Sequence, residues 1–265
     1  MVIGQEKLCE MIYGFSPNTF PRVVMLVGER GAGKTSLLKE ICNHFMFPNE
    51  DITDSLSYEK IEAIYQSAEP TIYSIRINEL SVREENLILK FLEEPLKNSY
   101  IVLLATSDMG VLPTVMSRCI LWQLSHYTKR TLKEFLPADA PELILEVART
   151  PGMVIKFSEA DFNGMYELAN RVIDKIGTSY LSNALTITDR MAFKNEKDKY
   201  DIDLFVYILH SLVAKRVHTD TSNKYLDAYF LTSTLLSDFN VDNVDKRYLF
   251  EKYIVELREI IRGEK

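Results

Sequence analysis

The octapeptide Gly28-Glu-Arg-Gly-Ala-Gly33-Lys34-Thr35 constrains the fold more than any other feature of the chain. It fits the pattern Gly, four residues, Gly-Lys, then Ser or Thr. The β-rich run Arg22–Val27 precedes it, and a helical period over Lys34–Phe45 follows, with Leu37, Leu38 and Ile41 on one face. Glycines at such a turn let backbone N–H groups curl around phosphate oxygens, and the helix N-terminus adds partial positive charge. Lysine at the seventh position reaches β- and γ-phosphates, and the hydroxyl after it can ligate Mg²⁺. Gly28, Gly31, Gly33, Lys34 and Thr35 are therefore candidate nucleotide-binding residues, with Thr35 the candidate magnesium ligand.

Further short apolar runs at Thr71–Ile75, Tyr100–Ala105 and Cys119–Leu124 read as strands. Between Val82 and Glu94, apolar residues at Leu87, Ile88, Phe91 and Leu92 give the i, i+4 pairs of an amphipathic helix. Strands alternating with helices, with crossovers of this length, predict a mostly parallel sheet covered by helices on both faces. After Ser125 the pattern changes. Residues 128–160 carry short helical stretches broken by Pro137, Pro141 and Pro151-Gly152. From Gly164 onward only helices are expected, near 165–176, 179–189, 202–217, 223–238 and 245–262. The charge run Asn195–Lys199 reads as a solvated loop between two of them.

Composition narrows the classes. With 46% hydrophobic and 26% charged residues in 265, the chain is neither disordered nor collagenous. Its longest apolar run, Tyr100–Ala105, is too short to cross a bilayer, so no membrane partner is expected. Thirty-one basic against 38 acidic residues give a net charge of −7, so any DNA contact must come from a local patch or a partner chain. No signal peptide is visible, and Cys9, Cys42 and Cys119 are too few and too scattered for a disulfide framework or a C-x-x-C site. The expected location is the cytoplasm. The histidines give no nucleophile–His–acid constellation.

Two later segments carry a resemblance. Glu85-Asn-Leu-Ile-Leu-Lys-Phe-Leu-Glu-Glu-Pro95 and Val111-Leu-Pro-Thr-Val-Met-Ser117-Arg118-Cys119 are similar, in wording and spacing, to motifs of the AAA+ clamp-loader subunits of DNA replication, of the bacterial delta-prime and gamma/tau type. Ile3-Gly4-Gln5-Glu6, Thr150-Pro151-Gly152 and Asn243–Glu251 add weaker likenesses. The resemblance implies an α/β P-loop AAA+ core with a parallel sheet and helices on both faces at 1–125, a small helical lid at 126–162, and an all-α collar for oligomerisation at 163–265.

The same resemblance implies roles. Arg118 would be an arginine finger acting in trans on a neighbour's γ-phosphate, for which a planar, always-charged donor suits. Thr106 would face the γ-phosphate within its own site. The acidic pair that hydrolysis needs is ambiguous: one alignment places it at Asn78-Glu79, which makes Glu79 a catalytic candidate, and a gapless one places it at Ile75-Arg76, which has no acid. Strand physics favours the gapless alignment: a strand ending at Ile77 would bring Arg76 into a central strand buried on both faces, whereas one ending at Ile75 leaves Arg76 in the loop. Gly152 stands where gamma-type subunits carry a sensor arginine. The family's four-cysteine zinc module is absent, so no zinc is expected, and Cys42 reads as a packed helix residue. The implied function is a delta-prime-like subunit of a sliding-clamp loader that binds ATP or ADP with Mg²⁺ and serves as a stator donating Arg118. Its partners would be other clamp-loader AAA+ subunits, the sliding clamp and, through the complex, primer–template DNA. Whether it is itself an ATPase is left open: the alternatives are a hydrolysing motor subunit using Glu79, or another AAA+ replication or helicase-loading ATPase.

Overall fold

Val23–Val27 (β1) and Tyr100–Ala105 (β4) are buried at every position, as strands covered on both faces must be. In the computed structural model, which describes residues 1–94, 99–107, 111–193, 199–220, 223–239 and 244–263, they pair in parallel from Val23↔Ile101 to Val27↔Ala105. Ile72–Arg76 (β3) flanks β4, Ile120–Gln123 (β5) flanks β1, and Asn49–Asp51 (β2) closes the far edge, giving a parallel sheet ordered β2-β3-β4-β1-β5. The expected charge run over 195–198 and Pro95 and Asn243 of the motif segments lie outside the described residues.

Strand alternation builds two cores. Met25, Ile75 and Leu103 face Tyr58–Gln66 (α3) and Val82–Glu93 (α4) through Ile61, Ile64, Ile88 and Phe91. Val24, Leu26, Val102 and Trp122 face Glu6–Tyr13 (α1) and Lys34–Phe45 (α2) through Ile12, Leu37, Leu38 and Ile41. Helix α4 starts at a capping box, Ser81 with Glu84.

Two strand details correct the sequence expectation. Residue Arg76 is the last residue of β3, paired with Leu104, and not a loop residue. Strand burial is affordable there because its guanidinium leaves the sheet at the mouth and binds Asp51, Asp54 and Glu79. The helical C-terminal region also contains a two-residue parallel pair, Met191–Ala192 with Tyr200–Asp201.

Helix α2 ends at Met46, which is 87% exposed and left-handed at φ 58°. A side chain in that conformation costs what glycine avoids, so Met46→Gly is expected to stabilise the chain by about 1 kcal/mol in urea unfolding.

The chain divides into two compact units, 1–131 with 150–152, and 132–149 with 153–265. In the second, Ile202–Thr219 is buried on most of its circumference and packs against Phe162–Lys175 and Lys224–Phe239, which in turn meets Lys246–Arg262. His210 lies in this core, its Nδ1 facing Arg149 Nη2 at 3.0 Å and its Nε2 facing Ser233 Oγ at 3.1 Å. Burial, reinforced by Arg149, pulls the imidazole down to about 4. The unfolded chain, with an ordinary histidine near ~6.5, takes up a proton that the folded chain refuses. Stability is therefore complete above about pH 6.5 and is lost as pH falls toward 4, by about 3 kcal/mol. Denaturant unfolding across this window should show the loss, and His210→Gln should flatten it.

Candidate functional site

Gly28–Gly33 leaves the buried end of β1 and turns directly into α2. Gly31 and Gly33 have φ of +78° and +95°, conformations in which a side chain would be strained. The first N–H groups of α2 have no acceptor within the helix and point toward the loop's mouth. Lys34 Nζ donates to the carbonyls of Gly28 and Glu29. Burial lowers its pKa to about 8, helped by Arg30 and opposed by Glu29. Thr35 is exposed at the same mouth. Left-handed glycines, a helix N-terminus and a half-buried ammonium form a cradle that fits a polyphosphate, with Thr35 able to give a bound Mg²⁺ one oxygen.

The cradle is held from three sides within its own unit. Tyr127 donates its hydroxyl to the Ala32 carbonyl at 2.7 Å. The Gln5 amide exchanges two hydrogen bonds with the Ser125 backbone, at 2.9 and 2.8 Å, tying the N-terminal segment to the end of β5. Thr150 Oγ1 donates to the Arg30 carbonyl and Gly152 N to the Gly31 carbonyl, both at 3.0 Å. A Cβ on Gly31 would stand 2.8 Å from Gly152 Cα, and one on Gly152 would stand 2.6 Å from Gly31 Cα. The two backbones touch only because both residues are glycine.

At the ends of β3 and β4 stand the other residues singled out by the sequence. Ile75 is fully buried in the sheet. The Arg76 guanidinium is held charged by its bond to Glu79 and by Asp51 and Asp54. Asn78 Oδ1 accepts from Thr106 N at 2.7 Å and from Thr106 Oγ1 at 3.1 Å. Glu79, the alternative acid, sits in the short helical turn after β3 with its carboxylate on Arg76 Nε at 2.7 Å. Sequence reasoning missed the Asn78–Thr106 bridge, the Thr150 and Gly152 bonds and the Tyr127 bond. Only the Thr150-Pro151-Gly152 likeness hinted at any of them.

Arg118 lies apart from the cradle, just before edge strand β5. Its Nε donates to Glu93 Oε1 at 2.9 Å, Nη2 binds the same carboxylate, and Nη1 donates to the Thr114 carbonyl at 2.7 Å. Glu93 belongs to the Glu85–Pro95 segment, so the two family-like motifs meet at this pair. Cys42 is half-buried, and burial pushes its thiol up to about 11, which makes it a poor metal ligand. Among the described residues no group of three His, Cys, Asp or Glu could hold a metal ion, and no helix is long and apolar enough to cross a membrane.

A family model described as "DNA polymerase III, delta subunit" matches residues 67–128, which contain both motif segments. The DNA polymerase III subunit delta' of Haemophilus influenzae is 23% identical over 166 residues, covering 61% of this chain and 50% of that protein. The chain thus spans about half the length of the curated relative it matches. Among solved structures, a single-substitution form of Thermotoga maritima RuvB covers 98% of this chain and 85% of its own, at 20% identity and a TM-score of 0.52. The T. maritima RuvB Holliday junction branch migration motor matches over the same shares, with 19% identity and a TM-score of 0.51. In sequence the chain is similar to the delta-prime subunit of DNA polymerase III, and it carries the α/β P-loop fold of the AAA+ proteins.

Proposed function

We propose that this chain is a delta-prime-like subunit of a sliding-clamp loader that holds ATP or ADP without turning it over and lends Arg118 to a neighbouring AAA+ subunit. One observation carries the reading: a complete phosphate cradle stands beside a strand whose last residues, Ile75-Arg76, hold no acid at the positions to which the gapless alignment assigns the hydrolytic pair. Gly28, Gly31, Gly33, Lys34 and Thr35 bind the phosphates and the Mg²⁺, and Thr106 faces the terminal phosphate. Bound nucleotide supplies the negative charge on which Lys34 and the α2 N-terminus close. With no carboxylate at Ile75 or Arg76 to orient a water, the phosphates stay intact. The AAA+ core is assigned to 1–125, a lid to 126–162 and an oligomerising collar to 163–265. The assembled partners are other loader subunits, a sliding clamp and primer–template DNA, in the cytoplasm.

A motor reading has one supporting contact: Asn78 reaches Thr106, which brings the adjacent Glu79 near the same strand ends. The two readings separate in one experiment. The purified chain is expected to bind a fluorescent ATP analogue, to turn over no ATP above background, and to behave identically as Glu79→Gln. Turnover that Glu79→Gln abolishes, with binding intact, would establish the motor and overturn the stator.

A further inference from the structure

The chain carries a net charge of −7, yet one cavity in its helical unit is lined, among the described residues, by three cations and no carboxylate. This cavity of about 220 Å³ opens between helix Phe162–Lys175 and residues 179–190. Arg171 and Lys175, one turn apart on that helix, and Arg190 form an exposed rim. Leu168, Ile176 and Ile187, each less than a tenth exposed, contribute an aliphatic floor.

Two of the neighbouring carboxylates are paired with other cations. Asp174, the residue before Lys175, pairs with Arg216, and Asp189, the residue before Arg190, lies 3.9 Å from Arg247. Asp161 accepts from the Tyr200 hydroxyl. Burial and Asp161 hold the Tyr200 phenol above its ordinary range, opposed by Arg190 and Arg171. Three like charges gathered over buried aliphatic surface form a locally positive, partly apolar niche.

That mixture selects among anions. A nucleic-acid strand is matched by a row of cations tracking its phosphates and by aromatic platforms for its bases. Here the floor is aliphatic, with no aromatic ring among the described residues of the lining. A bare phosphate would leave that floor unused. An aliphatic side chain beside a carboxylate uses both halves, burying the first and placing the second on the guanidinium forks. We propose that this cavity docks an acidic, aliphatic segment of a partner protein: a Leu- or Ile-type side chain fills the floor while an adjacent side-chain or C-terminal carboxylate lies on Arg171, Lys175 and Arg190.

A displayed library of random heptapeptides, selected on the full chain and counter-selected on the Arg171→Gln/Arg190→Gln double variant, tests this. Both arginines are exposed, so the variant keeps its fold, which circular dichroism checks. The selection is expected to enrich peptides with Asp, Glu or a terminal carboxylate next to an aliphatic residue. Synthesised and labelled, they should bind the double variant about tenfold more weakly in fluorescence anisotropy, and bind wild type more weakly as salt is raised. No enrichment over the double variant, or enriched peptides without an acidic group, would overturn the proposal. So would an oligothymidylate strand whose affinity falls about tenfold in the double variant while the selected peptides bind both proteins equally.

Discussion

Arg118→Ala is expected to leave the assembled ring intact and to lower its ATPase rate about 10³-fold at the neighbouring site, the low end of what a trans arginine contributes to phosphoryl transfer. In the free chain the guanidinium rests on Glu93 and the Thr114 carbonyl. Reaching a neighbour's phosphate means exchanging one anion for another, an exchange for which a fork with donors on two edges is suited. Arg118→Lys should restore only a small part of the rate, because an ammonium keeps the charge but loses the fork. The measurement is steady-state turnover of the ring reconstituted with its copurifying AAA+ subunits, alongside size-exclusion chromatography. An unchanged rate in an intact ring would remove Arg118 from the mechanism.

Lys34→Ala is expected to weaken binding of a fluorescent ATP analogue about 10³-fold, the loss of two charge-assisted hydrogen bonds to phosphate. The pH dependence adds a check independent of folding. Because burial holds the Lys34 pKa near 8 in the free chain, the loop's ammonium is lost as pH rises past that value. Phosphate binding favours the charged form, so affinity should be level below pH 8 and fall about tenfold for each further pH unit. The Lys34→Ala profile should lack this limb. A wild-type affinity independent of pH between 7 and 9.5 would mean that Lys34 does not touch the phosphates.

The central strands were legible because burial on both faces demands unbroken apolar runs. Tyr100–Ala105 is observed at its expected bounds, and β1 differs from its expected range only by Arg22. Helix α2 also matches its predicted range, since its start is dictated by the phosphate loop. Strand β2 was not legible: Asn49-Glu50-Asp51 is polar, short and half-exposed, an edge strand with no pattern to read. The register at the end of β3 was legible only in part. The cost of burying Arg76 depends on Asp51 and Asp54, which arrive from a neighbouring strand and the turn after it, and no spacing along the chain announces them. The same holds for the candidate site. Its loop is a local motif, but Asn78 on Thr106 and Gly152 on Gly31 join residues 28 and 121 positions apart in the chain.

On the stator reading, the end of β3 also works as an evolutionary ratchet. Placing an acid at position 75 would insert a carboxylate among Met25, Leu103 and the helices of a closed apolar core, at a position with no exposure. Exchanging Arg76 for an acid would leave Asp51, Asp54 and Glu79 without their shared counter-ion and add a fourth negative charge beside them. Neither single step is neutral, and the two together are worse until the surrounding carboxylates have also changed. On the stator reading proposed above, a lineage with this arrangement has no short mutational path to a pair of acids at these two positions.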